Sequence, residues 1–221
     1  PREKQSGQEL LYIQTPTVYM KQLYALLFVG LLPVLTQAQN NLIIRTPVND
    51  NPGNLNVMIG YAAGNNTLTG YYNTFVGSEA GYLSTSGKGN TAGGDNTTGF
   101  RNVFTGTFAG LKNTTGTDNV FTGNQAGYNN TFGFRNVFTG SNAGYKNTTG
   151  NNGIFSGYQA GYSNTTGSSN ILTGYQAGYT NTTGSNNIFT GTSAGYSNTT
   201  GDYNVFSGYQ TGYANTDGDY N

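Results

Sequence analysis

The chain has 221 residues and a formal net charge of zero, with 8% charged residues, 35 glycines and no cysteine, histidine or tryptophan. The lack of cysteine excludes disulfides and thiolate chemistry, and the lack of histidine removes the commonest general base and transition-metal ligand. A chain without a basic excess also has no electrostatic basis for binding nucleic acid. The 18 tyrosines and 12 phenylalanines argue against a disordered polar tract.

Residues 20–38 have the pattern of a secretory signal peptide. Lys21 provides a short positive region, an apolar run follows at 23–35, and small residues occupy 36–38. The alternatives are a buried core helix or a membrane anchor, but the apolar run is shorter than the roughly 20 residues that a spanning helix needs. We therefore predict cleavage before Gln39, secretion of the chain, and no membrane span.

The signal peptide divides the chain into four parts. Residues 1–19 precede the signal's own methionine and are interpreted as translated upstream sequence rather than mature protein. Residues 39–55 are predicted to be an N-terminal cap or linker, and residues 56–221 the repeat region. The last residue aligns with the start of a further strand rather than with a polar cap, so we interpret the repeat region as truncated at its C-terminus.

The repeat region has a period of seventeen residues. A glycine that follows a small residue marks each unit, and successive marker glycines are 17, 12 and then seven times 17 residues apart. The marker glycines are Gly64, Gly81, Gly93, Gly110, Gly127, Gly144, Gly161, Gly178, Gly195 and Gly212. The third unit lacks five residues between Gly81 and Gly93, where its strand signal is expected.

Each unit contains a three-residue strand signal made of a β-branched residue, an apolar residue and Thr or Ser, followed by a glycine corner. Clear examples are Val120–Thr122, Ile171–Thr173 and Ile188–Thr190. The glycine content makes helix implausible. Two short strands per unit cannot bury a core alone, but stacked units can. The prediction is an all-β chain that folds as a parallel β-solenoid (β-roll) of about ten 17-residue coils.

Stacking brings the same residue of every coil into one column. The residue before each strand is asparagine at Asn102, Asn119, Asn136, Asn170, Asn187 and Asn204, and glycine at Gly153. We predict that these amides form hydrogen bonds along the solenoid axis, as stacked Asn side chains do in cross-β structures.

The strand signal is apolar on both of its faces. Successive side chains point to opposite faces, so Val120 and Thr122 face one way and Phe121 the other. We expect one face to fill the coil and the other to place a stripe of Phe on the surface, which implies a lateral partner. The alternative is that Phe points inward and Val and Thr form the outer face.

The pattern Asn-Val-Phe-Thr-Gly-x-x-Ala-Gly-Tyr, with a close match at residues 56–64, resembles the head repeats of trimeric autotransporter adhesins. It also resembles the Gly/Asn/Thr-rich repeats of secreted bacterial proteins and of tail-fibre proteins that carry a C-terminal chaperone domain. The resemblance covers residues 56–221 and implies a homotrimer on a cell-surface or virion fibre. The adhesin head unit is usually shorter than seventeen residues, which leaves the cross-section open.

A column of tyrosines after the marker glycine is the candidate contact surface, because Tyr offers rigid amphipathic area. It consists of Tyr128, Tyr145, Tyr162, Tyr179, Tyr196 and Tyr213. A host-surface or glycan ligand could bind this ladder; alternatively, the rings could simply pack at a corner or in a trimer interface.

Two further columns have functional and structural interpretations. Asn-x-Thr sequences recur at Asn65, Asn96, Asn113, Asn129, Asn147, Asn164, Asn181 and Asn198. They match the glycosylation acceptor, but repeated turn chemistry explains them more simply. The Thr-Thr pairs of four successive units, 148–149 to 199–200, could order water as in an ice-binding protein, although they follow a turn.

Catalysis and cofactor binding are not predicted. Asp95, Asp118, Asp202 and the two last aspartates share no column that repeats in every unit, as a calcium-binding solenoid would need, and Glu79 is the only glutamate after the signal peptide. We predict a non-catalytic segment of a secreted or cell-surface fibre, with no cofactor and no metal. The alternatives are a carbohydrate-binding or ice-binding solenoid module and a phage-type tail-fibre shaft.

Overall fold

The structure is a computed structural model, and its description is confined to part of the repeat region. The described residues are 56–60, 63–64, 70–76, 80–81, 84–92 and 98–221. The predicted upstream sequence, signal peptide and linker lie outside these ranges. Within the described ranges all regular secondary structure is β, as expected, and no helix crosses or could cross a membrane.

Ten short strands form one parallel sheet in which every strand pairs with its neighbours in the sequence. They are β1 (Val57–Ile59), β2 (Thr74–Val76), β3 (Thr91–Ala92), β4 (Val103–Thr105), β5 (Val120–Thr122), β6 (Val137–Thr139), β7 (Ile154–Ser156), β8 (Ile171–Thr173), β9 (Ile188–Thr190) and β10 (Val205–Ser207). Each strand rests on the equivalent strand of the next coil, so that Val120, for example, pairs with Val137. The predicted parallel β-solenoid is therefore confirmed.

Each coil contains fewer strands than predicted, and the described part of the solenoid contains slightly fewer turns. Each coil has one strand, not two, because the segment after the strand turns repeatedly. In one coil Gln176 and Gly178 have φ of 53° and 58°, which ends extended structure. The described residues form about eight turns, slightly fewer than the ten predicted, because parts of the first turns lie outside the described ranges.

The glycine after each strand makes the sharp corner that the sequence predicts. Gly123 has φ of 137°, and a Cβ added there would lie 2.6 Å from the carbonyl oxygen of Gly140 in the next coil. Only glycine adopts this conformation readily and allows the two backbones to approach so closely. The corner is therefore required both by the turn and by the stacking.

Phenylalanine fills the coil interior, so the expected surface stripe of Phe is wrong. The middle residue of each three-residue strand is buried: Met58, Phe75, Phe104, Phe121, Phe138, Phe155, Leu172, Phe189 and Phe206. The rings stack at separations such as 4.8 Å between Phe121 and Phe138, with an interplanar angle of 6°. Each seventeen-residue coil encloses one large apolar side chain, and an alanine beside it, such as Ala126, completes the apolar part of the interior. The alternative orientation, with Val and Thr outward, is the observed one.

The predicted asparagine ladder is present and fully buried in the regular coils. The backbone N–H of Asn119 donates to Oδ1 of Asn102 at 3.0 Å, and its Nδ2 donates to the carbonyl oxygen of Gly133 at 2.9 Å. Each amide therefore links two coils and also holds its own coil closed. Gly153 interrupts the ladder: its N–H still donates to Oδ1 of Asn136 at 2.8 Å, but it has no side chain to offer to Asn170.

The short repeat keeps its strand, contrary to the expectation that the strand signal was missing. Thr91 pairs with Val103 and Ala92 with Phe104, so β3 lies in the sheet and Ala92-Gly93 is not the equivalent of the marker pair. The five missing residues therefore follow the strand. Continuity of the sheet explains this choice, because skipping a strand would leave the hydrogen-bonding groups of both neighbouring strands unpaired.

Candidate functional site

The predicted tyrosine ladder is a continuous stack along one corner of the solenoid. Ring centroids of successive members are 5.0–5.2 Å apart and the planes differ by 4–18°. The rings are half-buried except for Tyr213, which is exposed. The marker glycine before each ring, such as Gly178, has positive φ and turns the chain so that the ring projects from the corner.

Stacking determines which part of each tyrosine can reach a ligand. A ring within the ladder has another ring on each face, so its outer edge and its phenol remain accessible. Burial raises the pKa of the Tyr196 phenol above its ordinary value of 10.0, and the neighbouring phenols of Tyr179 and Tyr213 raise it further. The ladder therefore presents a row of ring edges and hydroxyl groups rather than open aromatic faces.

Two lysines lie beside the beginning of the ladder. The Lys112 Nζ is 5.1 Å from the ring centroid of Tyr128, and the Lys146 Nζ is 5.3 Å from that of Tyr162. At these distances a cation interacts favourably with the face of an aromatic ring. The equivalent residue in later coils is uncharged, as at Ser163 and Thr180, so the positive charge is confined to the first part of the ladder.

A second aromatic column, which the sequence analysis did not single out, lies three residues before the marker glycine. Tyr158 and Tyr175 stack with centroids 5.3 Å apart, and Tyr209 stands two coils further on. The rings are 44%, 50% and 73% exposed. The residue after each of these tyrosines is a glutamine, and the Gln176 Nε2 donates to Oε1 of Gln159 at 2.8 Å. The recurring Gly-Tyr-Gln-Ala-Gly-Tyr sequence was the available signal.

Most of the Asn-x-Thr asparagines belong to a second buried asparagine ladder, where the sequence suggested a glycosylation acceptor or, more simply, turn chemistry. The Asn164 Nδ2 donates to Oδ1 of Asn147 at 2.8 Å and to the carbonyl oxygen of Gly167 at 2.9 Å. The ladder comprises Asn113, Asn130, Asn147, Asn164, Asn181, Asn198 and Asn215. Its interior members are inaccessible to a modifying enzyme in the folded chain. Asn129 lies outside the ladder and is half-buried, whereas Asn65 and Asn96 lie outside the described residues.

The two threonines of each Thr-Thr pair have different environments. The first threonine is half-buried and its hydroxyl is engaged: the Thr165 Oγ1 donates to the carbonyl oxygen of Thr182 at 3.0 Å, and Thr182 repeats the bond to Thr199 at 2.9 Å. The second, such as Thr166, is exposed. Each pair therefore offers one outward hydroxyl per coil, on a turn rather than on a strand.

The outer face of the sheet carries two columns of short side chains. The first residue of each strand in the regular coils, Val or Ile, is 38–59% exposed, and the third is Thr or Ser. Neither column contains a charged residue. The face is consequently a narrow, uncharged strip of β-branched side chains that lies apart from the tyrosine corner.

The acidic residues do not assemble into a metal site within the described ranges, where no group of three or more candidate ligands occurs. Asp118 forms an ion pair with Arg101, at 2.8 Å between Oδ1 and Nε. Asp202 and Asp219 accept backbone N–H groups of Ser185 and Asp202, each at 2.6 Å. Asp95 and Glu79 lie outside the described residues.

Comparison with protein-family models, with curated proteins and with solved structures found no match to this chain. The fold defines a parallel β-solenoid repeat protein. The resemblance to adhesin heads and tail-fibre repeats rests on the repeat residues alone and stays a prediction.

Proposed function

We propose that the chain is a non-catalytic structural and adhesive segment of a secreted or cell-surface fibre. The observation that carries this proposal is the regular repetition of the tyrosine ladder along the solenoid, with rings spaced 5.0–5.2 Å apart. A weak contact made by one coil is available again at the next, so binding to a repetitive surface is multivalent. The predicted signal peptide supports export.

Three copies associate laterally in this proposal, through the outer face of the sheet. The stripe of Phe that first suggested a partner is buried, but the exposed Val and Ile column offers an uncharged strip along the whole regular part of the solenoid. Covering this strip removes β-branched side chains from water, which favours association. The resemblance to trimeric fibres supports the number three.

Light scattering and sedimentation of the full chain test the association. We expect the mass of a trimer for the parent protein. Replacing Ile171 and Ile188 with Glu places charges on the outer face and should give a folded monomer. The matched control replaces Thr166 and Thr183 with Glu, exposed positions on another face of the same coils, and should remain trimeric. A folded parent protein with the mass of a monomer would refute lateral association.

The adhesive role is tested separately with the tyrosine ladder. Because only ring edges and phenols are accessible, Tyr162, Tyr179 and Tyr196 are replaced together with Phe, which keeps the stack and removes the hydroxyls. Beads coated with the full chain should lose adhesion to a glycan-coated surface when these hydroxyls are removed. Adhesion unchanged in the triple variant would show that the ladder is a packing feature, as the alternative interpretation holds.

The ice-binding alternative has less support than a sugar-binding one. The first threonine of each pair donates its hydroxyl to the next coil, as Thr165 does to Thr182, so it is not free to order water. Ice shaping by the full chain that disappears on replacing Thr166, Thr183 and Thr200 with Val would favour this alternative over the adhesive fibre.

A further inference from the structure

A cleft opens on the solenoid surface where the short repeat meets the coils on either side of it. Tyr72, Gly89 and Arg101 occupy equivalent positions in three successive coils. The backbone shows this register: the Gly89 N–H donates to the carbonyl oxygen of Tyr71 at 3.0 Å, and the Arg101 N–H to that of Lys88 at 2.9 Å. A large side chain, no side chain and a second large side chain thus follow one another along the axis.

The missing side chain at Gly89 creates the space. A Cβ added there would have Arg101 Cγ as its nearest neighbour, at 3.9 Å, which is an ordinary van der Waals contact. In contrast, a Cβ at Gly123 would clash with the next coil. The cleft over Gly89 has a volume of about 680 Å³ and is open to solvent.

Two cations line the cleft. The Lys88 Nζ lies 4.6 Å from the ring centroid of Tyr71, and among the described residues no carboxylate is within ion-pair distance of it. Arg101 is paired with Asp118 through two of its N–H groups, at 2.8 and 3.1 Å. Since a guanidinium has five N–H donors, three remain for a ligand. The described walls therefore carry an excess of one positive charge.

An open aromatic surface at Tyr72, the Phe100 ring and two hydroxyl groups complete the lining. Tyr72 is 61% exposed, and its ring meets Tyr71 edge to face, with centroids 5.1 Å apart and planes at 80°. It is not covered by a parallel ring as the ladder tyrosines are. Ser86 and Thr98 also line the cleft. The Thr98 Oγ1 donates to the carbonyl oxygen of Thr114 at 3.2 Å, so its oxygen can accept a hydrogen bond from a ligand hydroxyl, and Ser86 brings a second hydroxyl group.

We propose that this cleft binds a carboxylate-bearing sugar residue of an acidic polysaccharide. The apolar face of a pyranose ring packs on Tyr72, its carboxylate meets Lys88 and Arg101, and its hydroxyls meet Ser86 and Thr98. Charge-assisted hydrogen bonds to a carboxylate are the strongest of these contacts. Because the cleft is open rather than enclosed, it accommodates one residue of a passing chain. This site is distinct from the tyrosine ladder and does not depend on the function proposed above.

Calorimetric titration of the full chain with two matched tetrasaccharides tests the charge requirement. One is β-1,4-linked tetramannuronate, and the other is β-1,4-mannotetraose, which differs from it in carrying a hydroxymethyl group in place of each carboxylate. We expect tetramannuronate to bind about tenfold more tightly or better, the effect of one charge-assisted contact. Added salt should weaken this binding. No binding of tetramannuronate, or equal binding of both sugars, would overturn the proposal.

A filled-cleft variant tests the location. Gly89→Asn places a side chain in the gap, and its positive φ is tolerated because Asp118 and Asn152 occupy the same column with φ of 59° and 56°. We expect it to abolish tetramannuronate binding, while Ser169→Asn, the same column in a regular coil, leaves binding unchanged. Lys88→Gln should weaken binding at least as much as Tyr72→Ser, because the charge-assisted contact is the stronger one. Unchanged affinity of Gly89→Asn or of Tyr72→Ser for tetramannuronate would show that the sugar does not bind in this cleft.

Discussion

Two parts of the solenoid use the same fold differently. The regular segment, residues 102–221, repeats every seventeen residues and stacks the same or a similar residue in nearly every column. The short-repeat segment, the described residues between 70 and 101, contains the 12-residue step and mixes unlike residues in its columns. Both keep the strand and the buried asparagine before it, as Asn90 and Asn102 show with a hydrogen bond of 3.0 Å between the Asn102 N–H and Asn90 Oδ1.

The difference lies in what remains free at the surface. In the regular segment the rings inside the tyrosine ladder are covered by their copies, as Tyr162 is by Tyr145 and Tyr179. In the short-repeat segment Tyr72 is followed by Gly89, and the ring keeps an open face. Uniform repetition thus builds continuous ladders, whereas a departure from repetition opens a cleft.

The corner glycines should show the greatest contrast between the segments. Gly123→Ala introduces a Cβ 2.6 Å from the Gly140 carbonyl oxygen at φ of 137°, and we expect it to lower the free energy of unfolding by more than about 4 kcal/mol. Gly89→Ala, at φ of 63° with open space around it, should lose only about 1–2 kcal/mol. Urea denaturation followed by circular dichroism measures both, and equal losses would contradict the contrast.

An asparagine of the second ladder should contribute more to the free energy of unfolding than the serine that occupies the same column earlier in the chain. Asn164→Ala removes two donated hydrogen bonds and the acceptor for Asn181 Nδ2, and should lose about 2–4 kcal/mol because buried partners are left unsatisfied. Ser84 occupies the equivalent buried position in the short-repeat segment, and Ser84→Ala should lose about 1 kcal/mol. Chemical denaturation of the two variants side by side decides the order, and a larger loss for Ser84→Ala would contradict it.

Repairing the gap in the first asparagine ladder should stabilise the regular segment. Gly153→Asn supplies the missing acceptor for the Asn170 N–H and a donor for the Gly167 carbonyl, and removes the entropy cost of a glycine. We expect a gain of about 1 kcal/mol. The added Cβ lies 3.1 Å from Asn136 Oδ1 and 3.2 Å from the Phe155 ring, so these groups must shift slightly. A higher midpoint of denaturation confirms the gain, and a lower one would show that the shift is too costly.

The smallest effect concerns pH. The folded-state pKa of Tyr196 lies above its ordinary value because of burial, so the neutral phenol stabilises the fold. This contribution is complete below the ordinary value of 10.0 and is lost as the pH rises through the folded-state value. The free energy of unfolding, measured over that alkaline range, should fall less steeply in Tyr196→Phe than in the parent protein. Identical slopes in the two proteins would contradict either the direction of the pKa shift or its assignment to Tyr196.

Much of the fold was predictable from the period and from a few residue types. The strand signals, the glycine corner and the first asparagine ladder follow from local preferences and from stacking, and β5, Gly123 and Asn119 all confirm them. The tyrosine ladder was likewise predictable as a column. The contacts of its rings were not predictable, because the position of a residue in a column does not determine how much of its side chain is buried.

Three features escaped prediction for identifiable reasons. The inward direction of Phe121 could not be read from a strand with two apolar faces, since alternation alone does not name the inner one. The burial of Asn164 was hidden because Asn-Thr-Thr-Gly also suits an exposed turn. The position of β3 was misjudged because Ala92-Gly93 imitates the marker pair, and only the pairing of Thr91 with Val103 distinguishes them.

By itself the sequence determined that this chain is a stack of seventeen-residue β coils, because a fixed period with strand and corner residues in every unit has few other ways to bury a core. Only the tertiary structure decided which side of each strand faces inward, which asparagines close the coils, and where a gap opens over Gly89. These depend on how much space a coil encloses and on which residue lies above and below, and both are properties of the stack rather than of any single unit.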